Sequence, residues 1–475
     1  MHTFLWHDYE TFGKDTRSAR PAQFAAIRTD ADLNELGEPI ELFCQPAPDF
    51  LPEPEACLIT GILPQQCLAN GVPEREFAQR ILQELSEPNT IGVGYNTIRY
   101  DDEITRFMFW RNLIEPYARE WQNGCGRWDI IDLARVTYAL RPEGIEWPKN
   151  EAGFTSFKLT DLTEANGIAH EAAHDAVSDV RATIALARLI RDKQPKLFEF
   201  YFKLRQKNVV SDEIGLHLSE RKPFLHLSSM FPAERAHMAL VYPLGVHPTN
   251  KNEVIVWDCA FDPTVLFALN ADEIRTRMFT RADELADGVS RLPIKTIHLN
   301  KSPVVVSNLK VLDAAAQERC GLDVSACMVN AEKAARGVQQ HDLSGVWADV
   351  FHRVFDDVPD VDEALYAGFV PAEERRLLER LRLMTAEEIA RANPHFSDER
   401  LAELVFRYRA RNFPESLSAE EAQEWQKHCF ERLHPRVESY ITALETLAET
   451  QDDRGQAVLD ALSEYVFQIV PEDVY

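Results

Sequence analysis

Residues 1–13 read MHTFLWHDYETFG. The apolar run predicts a β-strand over residues 3–8, and the strand leads into two acids one residue apart, Asp8 and Glu10. Alternate side chains of a strand share a face. Asp8 and Glu10 therefore point the same way, and Tyr9 points to the other side. Two carboxylates a few ångström apart repel each other unless a cation lies between them. Oxygen ligands on a rigid strand suit Mg²⁺ or Mn²⁺. Taken alone, the pair reads more readily as a strand end running out into solvent.

Two further stretches change that balance. GYNTIRYDDE (94–103) is an apolar strand, a polar turn and then acids opening a helix. Asp101 and Asp102 lie near that helix N-terminus, where negative charge is favoured. HEAAHDAVSDVRATIALARLI (170–190) places His174 before a long helix, Asp175 where it can cap that helix, and Asp179 in its second turn. A histidine in an entering loop keeps its freedom while an aspartate on the helix is fixed, which is a workable division between a base and a metal ligand.

Bulk properties set the frame. A length of 475 residues suggests about three domains. With 51 Lys+Arg against 77 Asp+Glu, the net charge of −26 argues against loose, whole-surface binding to nucleic acid or an anionic membrane. It leaves room for a basic channel inside an acidic protein. The eight cysteines are scattered without a C-x-x-C, the pattern of buried thiols in a reducing compartment rather than of a disulfide framework. No signal peptide and no bilayer-spanning run is read, so a cytoplasmic protein is expected.

The patterning divides the chain in three. Residues 1–195 mix strands (3–8, 23–29 and ELFCQP) with helices (77–86, 102–114 and the one after His174), and Pro116 is expected to start a new helical turn. Residues 196–350 carry short β-branched runs: FLHLSSM, MALVYPLGV, NEVIVWDCAF and KTIHLNKSPVVVS. Some helix is expected there too, in ADELADG and DAAAQERC. DDVPDVDE (356–363) reads as an acidic linker, and residues 351–475 as helical. Thr385 with Glu388 and Ser418 with Glu421 have capping-box spacing, and Ser397 is the expected N-cap of DERLAELVFRYRAR.

The combination D-x-E on the first strand, acids opening a later helix and H-x-x-x-x-D entering another resembles the DEDDh exonucleases, a branch of the ribonuclease H-like fold. The resemblance extends along nearly the whole chain. FLWHDYETFG, RPAQFAAIRTD, LITGI, YNTIRYDDE, RWDIIDLARVTYALRPEGI, LTEANGI, AHDAVSDV and FRYRARNFP look like the bacterial exodeoxyribonuclease I family. It implies an α/β architecture: a ribonuclease H-like exonuclease domain with a mixed sheet, an SH3-like β-rich domain and a C-terminal helical domain. It also implies a 3′-to-5′ exonuclease that degrades single-stranded DNA to 5′-mononucleotides in DNA repair and recombination. Asp8, Glu10, Asp101 and Asp179 would hold two Mg²⁺ ions, with Mn²⁺ as an alternative, and His174 would deprotonate the attacking water. Asp102 is the less favoured of the adjacent pair.

The same resemblance implies DNA contacts by Arg106, Tyr117, Trp121 and Arg135, and at Lys158, where the family has an arginine. Lysine keeps the charge there but loses the bidentate fork. Tyr117 and Trp121, spaced i, i+4, are expected to share a helix face. RLPIKTIHLNKSPVVVSNLK (291–310) and FRYRARNFP are basic islands, readable as DNA-facing or as structural ion pairs. The family also implies a monomer that binds the acidic C-terminal tail of the single-stranded-DNA-binding protein, with Arg141 in the pocket. An RNA-directed or proofreading exonuclease of the same superfamily would share the motif. A catalytically dead scaffold is disfavoured because all five residues are present, and a small-ester phosphatase would not need two further domains.

Overall fold

The strand expected over 3–8 extends from Thr3 to Thr11 (β1), so Asp8 and Glu10 lie inside it rather than beyond its end. The computed structural model describes residues 2–170, 175–218, 220–352, 360–392 and 394–470. β1 pairs antiparallel with β2 (Pro21–Thr29), which pairs antiparallel with β3 (Ile40–Phe43). On its other side β1 runs parallel to β4 (Thr90–Gly94), which makes the sheet mixed. Leu5 and Tyr9 pack into a core with Phe24, and with Phe77 and Met108 from helices Glu74–Ser86 and Asp101–Arg111. That face takes the odd residues of β1, leaving the even positions 8 and 10 on the other.

The chain divides into two compact units. One comprises Met1–Gly126, His170–Arg181 and Asp356–Tyr475; the other comprises Arg127–Ala169 and Ala182–Phe355. β5 (Gly126–Asp129) carries the chain from the first into the second.

In the second unit β6 (Phe224–Leu227), β7 (Met238–Val246), β8 (Glu253–Asp258), β9 (Ile294–His298) and β10 (Val304–Val306) form an antiparallel sheet in the order β10-β6-β7-β8-β9. The five strands fall in the four β-branched stretches, β9 starting one residue earlier at Ile294. DAAAQERC forms the helix Ala314–Arg319, capped by the Asp313 side chain. ADELADG makes only a 3-10 turn at Ala282–Glu284. Its side chains are almost all exposed, so it has no apolar face to bury. The unit holds more helix than expected, including Ala271–Phe279 and Val324–Gln340.

The C-terminal helices belong to the first unit. Leu444, Val458, Leu459 and Leu462 pack on Phe12, Ala22, Cys57 and Cys67, while Leu381, Leu401, Leu404 and Tyr408 pack on Phe107 and Trp110. Both expected capping boxes form, at Thr385/Glu388 and Ser418/Glu421. At Glu399–Asn412 the cap is Asp398, not Ser397, because Ser397 is taken by Glu374: its hydroxyl donates to Oε1 at 2.8 Å.

DDVPDVDE is not a loose connector over its described part. Residues 356–359 lie outside the described residues, but Asp360 and Asp362 are the counter-charges of FRYRARNFP. Arg411 donates to both oxygens of Asp362 (2.9 and 2.5 Å) and both of Asp49 (3.0 and 2.6 Å). Arg20 also donates to Asp362 at 3.0 Å, and Arg407 and Arg432 to Asp360 at 2.8 and 3.0 Å. Arg409 pairs with Glu421. Structural ion pairing, not an open DNA-facing surface, is thus what these arginines do.

All eight cysteines are free and buried. Among the described residues no helix is long and apolar enough to cross a membrane.

Candidate active site

Three elements meet at the end of β1. The first is β1 itself, with Asp8 opposite Ala25 and Glu10 opposite Gln23 of β2, and a register shift between Glu10 and Thr11 that ends the regular ladder. The second is the helix Asp101–Arg111. It is brought against β1 by the turn after β4, where a Cβ on Gly94 would lie 2.6 Å from the carbonyl oxygen of His7. Only glycine permits that approach. Asn96, in the same turn, takes a left-handed conformation (φ 67°), which asparagine tolerates.

Tyr100, just before the helix, binds the other side of the junction. Its hydroxyl lies 2.6 Å from Thr11 Oγ1 and donates to the Gly13 carbonyl at 2.8 Å. Asp101 then accepts the backbone N–H of Tyr9 at 3.1 Å, between the two acids of the strand. Asp102 points elsewhere and is neutralised by Arg119, whose Nη2 lies 2.6 Å from Oδ1. The two adjacent aspartates therefore have different surroundings: Asp102 is in an ion pair, whereas Asp101 is bound at the strand acids.

The third element is the helix Ala176–Lys193, which begins where the long helix was expected. Asp175 caps it, accepting the Ser178 N–H at 2.9 Å, and Asp179 falls in the first turn rather than the second. Oxygens of Asp8, Glu10 and Asp179 lie within 4.8 Å of one another. His174 lies outside the described residues. His170, which the motif passes over, places Nε2 against Oδ1 of Asp179.

The electrostatics follow from that crowding. Burial, and next the Asp179 carboxylate, push Asp8 up to about 7. Burial, then Asp8, Asp179 and Asp175, push Glu10 up to about 9. Asp101 is raised well above the carboxylate range by burial and then by Asp8. Each acid is pushed toward its neutral form first by burial and then by neighbours that are themselves acids. A hard divalent cation fits this donor set: three carboxylates at ligand spacing, all oxygen, on a rigid strand and a helix.

The expected DNA-contact residues have mixed surroundings. Trp121 is 68% exposed. Tyr117 packs at the margin of the core around Trp110, beneath the Arg106 guanidinium. The expected shared helix face is absent. Pro116 lies in a bend, and 3-10 turns at Ala118–Glu120 and Gln122–Gly124 flank Trp121, which has φ −153°. Arg106 is buried, its Nε bonded to Glu120 at 2.8 Å and its Nη1 to Glu103 at 2.5 Å. In the second unit Arg135 pairs with Asp132 at 2.8 Å, while Lys158 is exposed at the start of helix Leu159–Ala165. Arg141 lines a cavity of about 520 Å³ with Leu140, Lys196, Phe200, Val306 and Val311.

The comparisons with known proteins agree along the chain. Residues 5–187 match a family model described as Exonuclease, 205–353 the Exonuclease I SH3-like domain and 359–469 the Exonuclease I C-terminal domain. The chain is 42% identical over 473 residues to exodeoxyribonuclease I of Haemophilus influenzae, covering 98% of this chain and 99% of that one. It belongs to the exonuclease I family. Among solved members, the zinc-bound form of the E. coli exonuclease I–single-stranded DNA complex is 40% identical and superposes with a TM-score of 0.93, over 99% of this chain and all of that one. An exonuclease I–SSB-Ct complex is 40% identical with a TM-score of 0.92 over the same shares. The exonuclease I fold is therefore shared end to end, with its mixed-sheet, SH3-like and helical parts.

Proposed function

We propose that this chain is a 3′-to-5′ exonuclease that degrades single-stranded DNA to 5′-mononucleotides, working in DNA repair and recombination. The observation that carries the reading is the convergence of Asp8, Glu10 and Asp179 within 4.8 Å, with Asp101 bound to the Tyr9 N–H between the strand acids. Asp8, Glu10, Asp101 and Asp179 would hold two Mg²⁺ ions, with Mn²⁺ able to replace them. Bound there, divalent cations supply charge neutralisation at the phosphate and a lowered pKa for the attacking water.

The chain's own residues do the rest. The ladder of β1, the Tyr9 N–H on Asp101 and the Tyr100 hydroxyl on Thr11 and Gly13 hold the acids in place before substrate arrives, which limits reorganisation during the reaction. His174 accepts the proton of the attacking water, for which it must be neutral. Trp121 and Tyr117 offer faces on which bases stack, and Lys158 a charge for phosphate. Arg106 and Arg135 join them by exchanging a carboxylate partner for a phosphate oxygen. The division into an exonuclease domain (1–195), an SH3-like domain (196–350) and a helical domain (351–475) belongs to the same reading.

We also propose that the cavity at Arg141 takes the acidic C-terminal tail of the single-stranded-DNA-binding protein. Its support is the mixture of Arg141 and Lys196 with apolar walls, which suits a peptide ending in apolar residues and a carboxylate.

Digestion of single strands labelled at the 3′ or the 5′ end, with and without EDTA, tests the main reading. The expected result is immediate release of the 3′ label as a mononucleotide, late loss of the 5′ label, and no cleavage with EDTA. Early 5′ release, or cleavage in EDTA, would contradict it.

A further inference from the structure

His170 opens the stretch H-E-A-A-H-D (170–175) and reaches the acid cluster from outside the strand. Its side chain is only 5% exposed, and Nε2 meets Oδ1 of Asp179. Opposite a carboxylate, a ring nitrogen donates its hydrogen. The donated proton makes Nε2 unfit to take another from water, so His170 at this nitrogen is not a second base. A carboxylate has two oxygens and can give one to a donor behind it and the other to a cation. Donors in that rear position orient the ligand, and losing one typically costs about 10–100-fold in metal affinity.

The other acids are held by their own elements. Asp8 and Glu10 lie within β1, paired there with Ala25 and Gln23 of β2, and Asp101 is anchored by the Tyr9 N–H. Asp179 sits in the first turn of its helix, where the backbone is least constrained.

We propose that His170 is a positioning residue: its Nε2–H holds Oδ1 of Asp179, turning the carboxylate toward Asp8 and Glu10 and raising the affinity of the site for a divalent cation. This rests on the metal-site reading above and assigns His170 a role separate from that of His174.

The test titrates Mn²⁺ into metal-free wild type, His170→Ala and His170→Gln, following free Mn²⁺ by electron paramagnetic resonance. The Mg²⁺ dependence and pH profile of cleavage are measured in parallel. His170→Ala should bind Mn²⁺ about 10–100-fold more weakly and need correspondingly more Mg²⁺. At saturating Mg²⁺ its kcat should recover, with the pH profile unchanged. His170→Gln, which can also donate an N–H, should regain much of the affinity. Wild-type affinity in His170→Ala would overturn the inference, as would a glutamine variant no better than alanine. So would a kcat that stays low at saturating metal with a flattened pH profile, because His170 would then be handling the proton. Wild type that binds no Mn²⁺ would overturn the metal-site reading itself, a result distinct from equal binding by wild type and His170→Ala.

Discussion

Asp49, Asp360 and Asp362 share their surroundings with Arg20, Arg407, Arg411 and Arg432, whereas Asp8, Glu10, Asp101 and Asp179 crowd chiefly against one another. Both groups lie in the same compact unit, and both are drawn from distant parts of the chain. Burial raises the cost of charge in each. In the first, Arg411 and Arg20 outweigh burial and hold Asp362 far below the carboxylate range; Arg411 and His428 do the same for Asp49. In the second, neighbouring acids add to burial, and Asp8, Glu10 and Asp101 are all driven upward. A buried acid cluster that carries its own counter-charge is architecture. One whose strongest charged neighbours among the described residues are further acids has a use for a cation from solution.

Asp8→Ala should reduce cleavage by roughly a thousandfold or more, since it removes a metal ligand. It should still bind single strands, and the metal-free protein should be no less stable. Turnover near the wild-type rate, or a large fall in metal-free stability, would show that the acid is structural. Asp362→Ala is the mirror case. Stranding buried arginines should cost roughly 3–5 kcal/mol of stability in a denaturant titration, with activity per folded molecule little changed.

Proton linkage sharpens the contrast. A carboxyl whose folded pKa is raised holds its proton longer in the native state than in the unfolded one. Stability then falls as pH rises from the ordinary carboxylate range through about 7 for Asp8 and about 9 for Glu10. The depressed Asp49 and Asp362 act oppositely: their contribution is present above the ordinary range and is lost as pH falls below it. Metal-free melting curves should therefore decline on both flanks, Asp8→Asn flattening the alkaline one and Asp362→Asn the acid one. Added Mg²⁺ should raise the melting temperature more at pH 9 than at pH 5. An equal rise at both would mean that the cation does not act on these groups.

The smallest expected effect lies at the surface. Trp121→Ala should weaken single-strand binding by about 1–3 kcal/mol, as loss of one stacked base does, with no measurable change in stability.

How much was legible in the sequence follows the range of each interaction. The carboxylate pair and β1 could be read because strand alternation is local, and the acids opening Asp101–Arg111 because helix starts are local too. The arginines of FRYRARNFP were ambiguous because their partners are remote: Asp49 stands 362 residues from Arg411. Charge without its partner looks like a binding surface. Spacing alone places Tyr117 and Trp121 on one helix face. The Asn123-Gly124 dipeptide, a turn signal, marks a break in the helix, and both residues take positive φ. His170 escapes a reading by motif because H-x-x-x-x-D points to His174. The sign that could have drawn attention to it was a second histidine four residues upstream, on the same approach to Asp179.

The central claim is that the acids at the end of β1 converge because divalent cations neutralise them. Anomalous diffraction from crystals soaked in Mn²⁺ tests it most directly. Manganese peaks in contact with Asp8, Glu10, Asp101 and Asp179 are expected. Well-ordered carboxylates with no manganese among them would contradict it.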